Sequence, residues 1–284
     1  MQEIYDDFFK KEILQNLNIL EKKRIKKLIS TLALACTYFV IGIIFAYSFF
    51  RYNYANPIIL TIFLLGMNFF IINALTVITY NNRNFQTELY KEILPLFLKP
   101  VANFVLWPKN QNTESILKSG IFRSFDTQDD ESCYFGHYNK TNIVISKTEL
   151  RLPSNGLENR NIFKGTIIQL ELTKNTTQNV IICSKNETVP SKLNKTLQQN
   201  FVIHCNNPEL TNPKIYKALA EITLLYLADG IFYSSQNNTI IIALREKQKN
   251  RIGNLFKSVK NQKNYDKLTQ KFIAIFNLVD LLNN

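Results

Sequence analysis

Two long runs without a charged side chain constrain this sequence more than any other feature. Residues 28–50, "LISTLALACTYFVIGIIFAYSFF", are 23 positions without Asp, Glu, Lys or Arg, and "PIILTIFLLGMNFFIINALTVITY" (57–80) is a second such run. As a helix the first run reaches about 34 Å at 1.5 Å per residue, enough for the ~30 Å hydrocarbon core of a bilayer. A helix apolar on every side has no face to turn to water at the surface of a soluble domain. The expectation is a transmembrane hairpin, with "RYNYAN" (51–56) as its tip. Tyr47, Tyr52, Tyr54 and Tyr80 fall near the ends of the runs, where an amphipathic ring prefers the interface.

Lysine and arginine orient the hairpin. "EKKRIKK" (21–27) precedes the first run with Lys22, Lys23, Arg24, Lys26 and Lys27, while the tip holds Arg51 alone. Arg83, Lys91 and Lys99 follow the second run. Positive residues stay on the cytoplasmic side, so both termini are expected there and the tip outside. A 27-residue leader with no small-residue cleavage site after the apolar run does not read as a cleaved signal peptide. Inside the runs, Asn68 and Asn73 are expected to hydrogen-bond across to Thr37 or Ser48, and Gly42 with Ala46 makes a small-xxx-small pair. No Asp, Glu, Lys, Arg or His lies within either run, which argues against a proton relay or ion path.

The flanks read differently. Residues 1–27 have the spacing of a cytoplasmic amphipathic helix, with Ile4, Phe8, Ile13, Leu17 and Leu20 on its stripe. Residues 81–284 read as one cytoplasmic α+β domain, a mostly antiparallel sheet with flanking helices. It opens on a helix carrying Phe85, Leu89, Ile93 and Phe97, which Pro95 bends and Pro100 ends. "FKGTIIQLELTKN" (163–175) then alternates, with Ile168, Leu170 and Leu172 against Ile167, Gln169 and Glu171. "VIIC" (180–183) and "FVIHC" (201–205) are further strands. Asn212 as cap and Pro213 as first residue open a helix with Ile215, Leu219, Ile222 and Tyr226 on one stripe, and Gly230 follows its end. "IFYSSQ-NN-TIIIAL" is the strongest hairpin signal, because Asn237 and Asn238 both tolerate positive φ. A last helix starts near Asn264, with Tyr265, Leu268, Phe272, Phe276 and Val279 inward.

Several stretches together resemble the bacterial domain-of-unknown-function family 3137: "DDESCYFGHYNKTNIVISKTEL" (129–150), "FKGTIIQLELTKN" (163–175), "NFVIHCNNPEL" (200–210), "NNTIIIAL" (237–244) and "FNLVDLLN" (276–283). The resemblance implies a two-span hairpin followed by a soluble domain, and it carries no activity with it. After "NNPEL" this chain departs from the family's usual helix start and has "TNPKIYKALAEI".

Candidates for chemistry are few. Cys36, Cys133, Cys183 and Cys205 contain no C-x-x-C pair and fit a reducing compartment. Cys133 and His137 with His204 and Cys205 make up a zinc ligand set, but neighbours on a strand face opposite sides, which works against His204 and Cys205 sharing an ion. Asp126, Asp129, Asp130 and Glu131 concentrate carboxylates, without the alternation and Gly of a calcium loop, and read as a solvated loop before a strand. The "FKG" turn (163–165) is expected to use Gly165 for backbone freedom and to leave Lys164 exposed. No nucleotide-binding glycine motif or nucleophile elbow occurs, and no cofactor is implied. The sequons at Asn139, Asn175, Asn186, Asn194 and Asn237 are what chance produces in so Asn-rich a chain.

The chain carries a net charge of +12, and one basic tract stands out, "REKQKNRIGNLFKSVKNQK" (245–263). Arg245, Lys247, Lys249, Arg251, Lys257, Lys260 and Lys263 stand there against Glu246, with Leu255 and Phe256 between them. Beside a membrane such a tract suits anionic lipid head groups; without interleaved aromatics it does not suit nucleic acid. The alternative is a solvated connection. The chain therefore reads as a membrane-anchored cytoplasmic binding or scaffold module, with room for a protein partner. A hydrolase or metal-dependent enzyme built from scattered carboxylates is the alternative.

Overall fold

The computed structural model describes residues 13–52, 57–98, 104–122, 124–152, 160–174, 179–187, 189, 195–198, 201–205, 213–246 and 253–283. The chain divides into two compact units: one holds Leu94–Asn250 and Tyr265–Asn284, the other Asp7–Ile93 and Arg251–Asn264.

The second unit is built on two long helices, α1 (Leu14–Tyr52) and α2 (Pro57–Leu98). Each merges two elements that the sequence had suggested were separate. Neither junction carries a Gly or Pro, and extending a formed helix costs far less than nucleating a new one. Pro95 sits inside α2; the Pro100 stop and the tip at 53–56 lie outside the described residues. Facing rings lock the two helices: Phe49 stacks on Phe63 at 4.3 Å, and Phe45 lies 5.8 Å from both Phe63 and Phe70. A Cβ at Gly66 would stand 2.7 Å from the Phe45 ring, so that ring fits only over glycine. The expected cross-helix amide bonds are absent. Asn68 donates to the Leu64 carbonyl at 2.9 Å, Asn73 to Phe69 at 2.7 Å, and Thr37 to Ala33 at 3.0 Å. Each finds its acceptor one turn back on its own helix.

Burial along these helices runs opposite to hydrophobicity. In the most apolar stretches only 17% and 11% is buried, with Ile43 66% and Leu65 67% exposed. In the charged extensions, Leu17, Leu20, Phe85, Leu89 and Ile93 are all buried.

The other unit is α+β. Its strands are β1 (Val105–Leu106), β2 (Thr127–Tyr138), β3 (Thr141–Leu152), β4 (Arg160–Glu171), β5 (Val180–Ser184), β6 (Lys195–Gln198), β7 (Phe201–Cys205), β8 (Gly230–Gln236) and β9 (Thr239–Arg245). They form one sheet in the order β1-β2-β3-β4-β9-β8-β5-β7-β6, and each described pairing is antiparallel. The helices are α3 (Thr113–Lys118), α4 (Pro213–Tyr226) and α5 (Gln262–Asn283). One sheet face, with Leu150, Phe163, Ile167, Phe232 and Ile241, packs on Ile116 of α3 and on Phe122 and Phe125. The opposite face meets α4 and α5: Phe201 lies 6.3 Å from Tyr216, and Tyr138 4.4 Å from Phe276. Burial on both faces explains why β8 and β9 read as nearly continuous apolar runs.

Turn chemistry accounts for the hairpins. Asn139 and Lys140 both take positive φ (44° and 65°) between β2 and β3, as a two-residue turn requires. Between β8 and β9 only Asn237 does so (55°), not both asparagines. Gly165 is needed for a reason other than freedom: a Cβ there would collide with the Leu244 carbonyl oxygen across the β4–β9 pair.

Candidate functional site

The base of the helical hairpin is a built polar site. Arg24 is buried at 8% exposure. Its guanidinium grips Glu21 in a fork, Nη2 to Oε1 at 2.8 Å and Nε to Oε2 at 3.0 Å. The remaining Nη1 donates to the Leu255 carbonyl at 2.7 Å. Glu21 Oε2 also accepts the Val259 N–H at 2.9 Å, and Asn82 Oδ1 accepts the Leu255 N–H at 2.9 Å. Residues 253–261 contain no helix or extended strand, so side chains of α1 and α2 supply the partners their backbone requires. Leu255 and Val259 plug the gap at 0% and 1% exposure. Gly253 passes so close to Leu89 that a Cβ would stand 2.9 Å from Cδ2.

Asn254, Leu255, Phe256 and Lys257 form a tight turn, closed by Lys257 N–H to Asn254 O at 3.3 Å and by Phe256 N–H to Asn254 Oδ1 at 2.9 Å. The two central side chains diverge: Leu255 is buried and Phe256 is 49% exposed. The charges divide as well. Lys23 pairs with Glu92 at 3.1 Å and Lys27 with Glu88 at 2.9 Å, joining the two helices. With Arg24 on Glu21, all three carboxylates are engaged. Lys22, Lys26, Arg83, Lys257 and Lys260 are exposed and make no ion pair among the described residues.

The basic tract is therefore not one surface. Arg245 closes β9 and pairs with Glu187 at 2.6 Å, with its guanidinium over the Phe163 and Phe232 rings at 5.9 and 5.8 Å. Lys247, Lys249 and Arg251 lie outside the described residues. Lys257 and Lys260 sit on the docked segment, and Lys263 falls in the first turn of α5. Leu255 and Phe256, expected to act as an apolar pair, are split by the turn.

The carboxylate cluster is not a loop either. Asp129, Asp130 and Glu131 belong to β2: Asp129 and Asp130 pair with Glu149 and Thr148 of β3, and Glu131 stands at the bulge that follows. Asp126 precedes the strand and is exposed. Asp130 is fully buried and accepts the Asn110 N–H at 2.7 Å and the Gln128 amide at 3.0 Å. Glu131 turns instead to Lys147 at 3.6 Å. Strand alternation, with a bulge between Asp130 and Ser132, sends these acids apart. Among the described residues no group of three His, Cys, Asp or Glu is placed to hold a metal ion.

Cys133 and His204 lie on β2 and β7, which five other strands separate in the sheet. Burial, with Asp130 beside it, pushes the Cys133 thiol up to about 12, so it is no thiolate nucleophile. Lys164 is exposed as expected and pairs with Glu149 at 2.6 Å. That ammonium, with Arg151 beside it, holds the Glu149 carboxyl below its usual range against the opposing effect of burial.

One residue escaped the sequence reading. Lys271 on α5 lies 4.6 Å from the centroid of the Tyr226 ring. Burial pushes its amine down to about 8, with Lys147 and Lys267 adding repulsion and Glu246 pulling the other way. Its position one turn after Leu268 and one before Ile275, on the apolar stripe, was the available signal.

No protein-family model matches the chain, and no curated protein matches it. Among solved structures, the crystal structure of the mycobacterial trehalose monomycolate transport factor A, TtfA, is similar at 9% identity, over 68% of this chain and 92% of that one, with a TM-score of 0.37. A likeness that slight carries no argument about function.

Proposed function

We propose that this chain is a two-span membrane anchor carrying an α+β module that binds or scaffolds a partner at the cytoplasmic face of a bacterial membrane, on the plan of family 3137, which its motifs resemble. One observation carries the membrane part: among the described residues, the most apolar stretches of the two long helices are only 17% and 11% buried. In water, leaving Ile29, Phe39, Ile43, Ile44, Leu65 and Phe69 exposed would forfeit about 1.5–3 kcal/mol for each side chain that burial would recover. In hydrocarbon the same surface is solvated. The back-bonded Asn68, Asn73, Thr37 and Thr79 support this too, because polar hydrogens in hydrocarbon need an acceptor inside the protein.

The excess of Lys and Arg at the base, against Arg51 alone at the tip, supports cytoplasmic termini. A binding role is preferred to a hydrolase because Asp130 and Glu131 take structural partners while Asp126 and Asp129 stay exposed, so the four acids do not converge. Reporter fusions at position 54 should read as external and at positions 10 and 284 as cytoplasmic. An external C-terminus would overturn the reading. A stoichiometric metal ion in the purified full chain would favour the hydrolase. In-cell crosslinking then identifies the partner.

A further inference from the structure

We infer that the base of the hairpin is an anionic-lipid site, with Phe256 as an apolar wedge and Lys26, Arg83, Lys257 and Lys260 as the cations that engage head groups. This rests on the membrane reading above and adds a ligand, a depth and a set of residues to it.

Depth comes first. Arg24 precedes the charge-free run at Leu28 by four residues, or about 6 Å along a helix, and Asn82 follows Tyr80 by two, or about 3 Å. Head groups occupy roughly 5–8 Å on each side of the hydrocarbon. The Leu255 backbone is hydrogen-bonded to both Arg24 and Asn82, so it lies in that layer. The turn then sends Phe256 outward at 49% exposure. An aromatic side chain on a loop at this depth meets the boundary between head groups and chains rather than bulk water.

Charge gives the ligand. The carboxylates of Glu21, Glu88 and Glu92 are already paired with Arg24, Lys27 and Lys23. Lys26 and Arg83 lie about 3 and 4.5 Å from the ends of the apolar runs. With Lys257 and Lys260 they are exposed and lack a counter-ion among the described residues. They are free to engage an anion from outside the described residues, and at this depth the abundant anion is a lipid head group. Each basic residue near an anionic leaflet contributes about a fivefold gain in affinity.

The docked segment gives the arrangement a purpose. A turn held by Arg24, Glu21 and Asn82 presents Phe256 and Lys257 on a fixed backbone, so lipid binding orders side chains and not the loop.

The test uses the full-length protein in nanodiscs of phosphatidylcholine, or of phosphatidylcholine with about one-third phosphatidylglycerol, followed by native mass spectrometry of the lipids retained. Wild type should retain phosphatidylglycerol preferentially. The double variant Lys257→Gln, Lys260→Gln should lose roughly tenfold or more of that preference, and Phe256→Ser should lose part of it. These three side chains are exposed, so the thermal midpoint should not move, and that control accompanies each variant. Equal retention of both lipids by a correctly inserted wild type, or unchanged preference in the double variant, would overturn the inference and leave the membrane anchor standing. Failure of the wild type to insert would remove both. Displacement of the retained lipid by an added oligonucleotide at physiological salt would assign the cations to a different partner.

Discussion

The Arg24 guanidinium donates to the Leu255 carbonyl at 2.7 Å across 231 positions of sequence. That bond, with the Glu21–Val259 and Asn82–Leu255 bonds, fastens residues 253–261 to the helices rather than leaving them as a solvated connection. Replacing Arg24 with Met should leave Glu21 and the Leu255 carbonyl buried without their partner, at a cost of about 1.5–3 kcal/mol. Hydrogen exchange at the Leu255 and Val259 amides should then accelerate roughly 10- to 100-fold. Unchanged exchange would mean that burial of Leu255 alone holds the segment.

Thiol accessibility tests the spans independently of any fusion. Cys36 is exposed, whereas Cys133, Cys183 and Cys205 are buried. A charged, membrane-impermeant maleimide should label none of the four in sealed vesicles and all of them after denaturation in SDS. A lipid-soluble reagent should reach Cys36. Labelling of Cys36 by the charged reagent in intact vesicles would rule out the first span.

Gly165→Ala places a methyl group against the Leu244 carbonyl at a sheet pair in the middle of the α+β unit. The strands must part to admit it, and overpacking of this kind costs about 1–3 kcal/mol. A fall in the urea midpoint of the full chain in mild detergent is the expected result.

Lys271 makes stability depend on pH in a defined window. Its amine sits at about 8 when folded against 10.5 in an unperturbed chain. Below pH 8 both states are protonated, and the folded one bears the full cost of burying the charge. Between about 8 and 10.5 the unfolded state binds more protons, so stability rises with pH through this group. The urea midpoint should therefore climb from pH 7.5 to 9.5. Lys271→Met should start higher and lose this rise, with the raised Cys133 thiol now lowering stability towards pH 9.5; a wild-type rise retained in that variant would place its origin elsewhere.

Features that depend on local physics were legible in the chain. The absence of charge over 28–50 and 57–80 marked both apolar helices; Pro213 opened α4, and Asn237-Asn238 turned β8 into β9. Each needs only a few neighbouring residues to be energetically defined. Tertiary structure alone decided the rest. Whether Asp129–Glu131 formed a loop or a strand depended on pairing with β3. Why residue 165 is glycine depended on a carbonyl at position 244. That the basic tract splits into Arg245 on the sheet and Lys257 and Lys260 at the hairpin base depended on Glu187, Glu21 and Asn82, which lie 58, 238 and 173 positions from the groups they bind. A charge run shows where cations are in the chain. Only folding brings up the carboxylates that neutralise some of them, and the cations left over define the surface available to a partner.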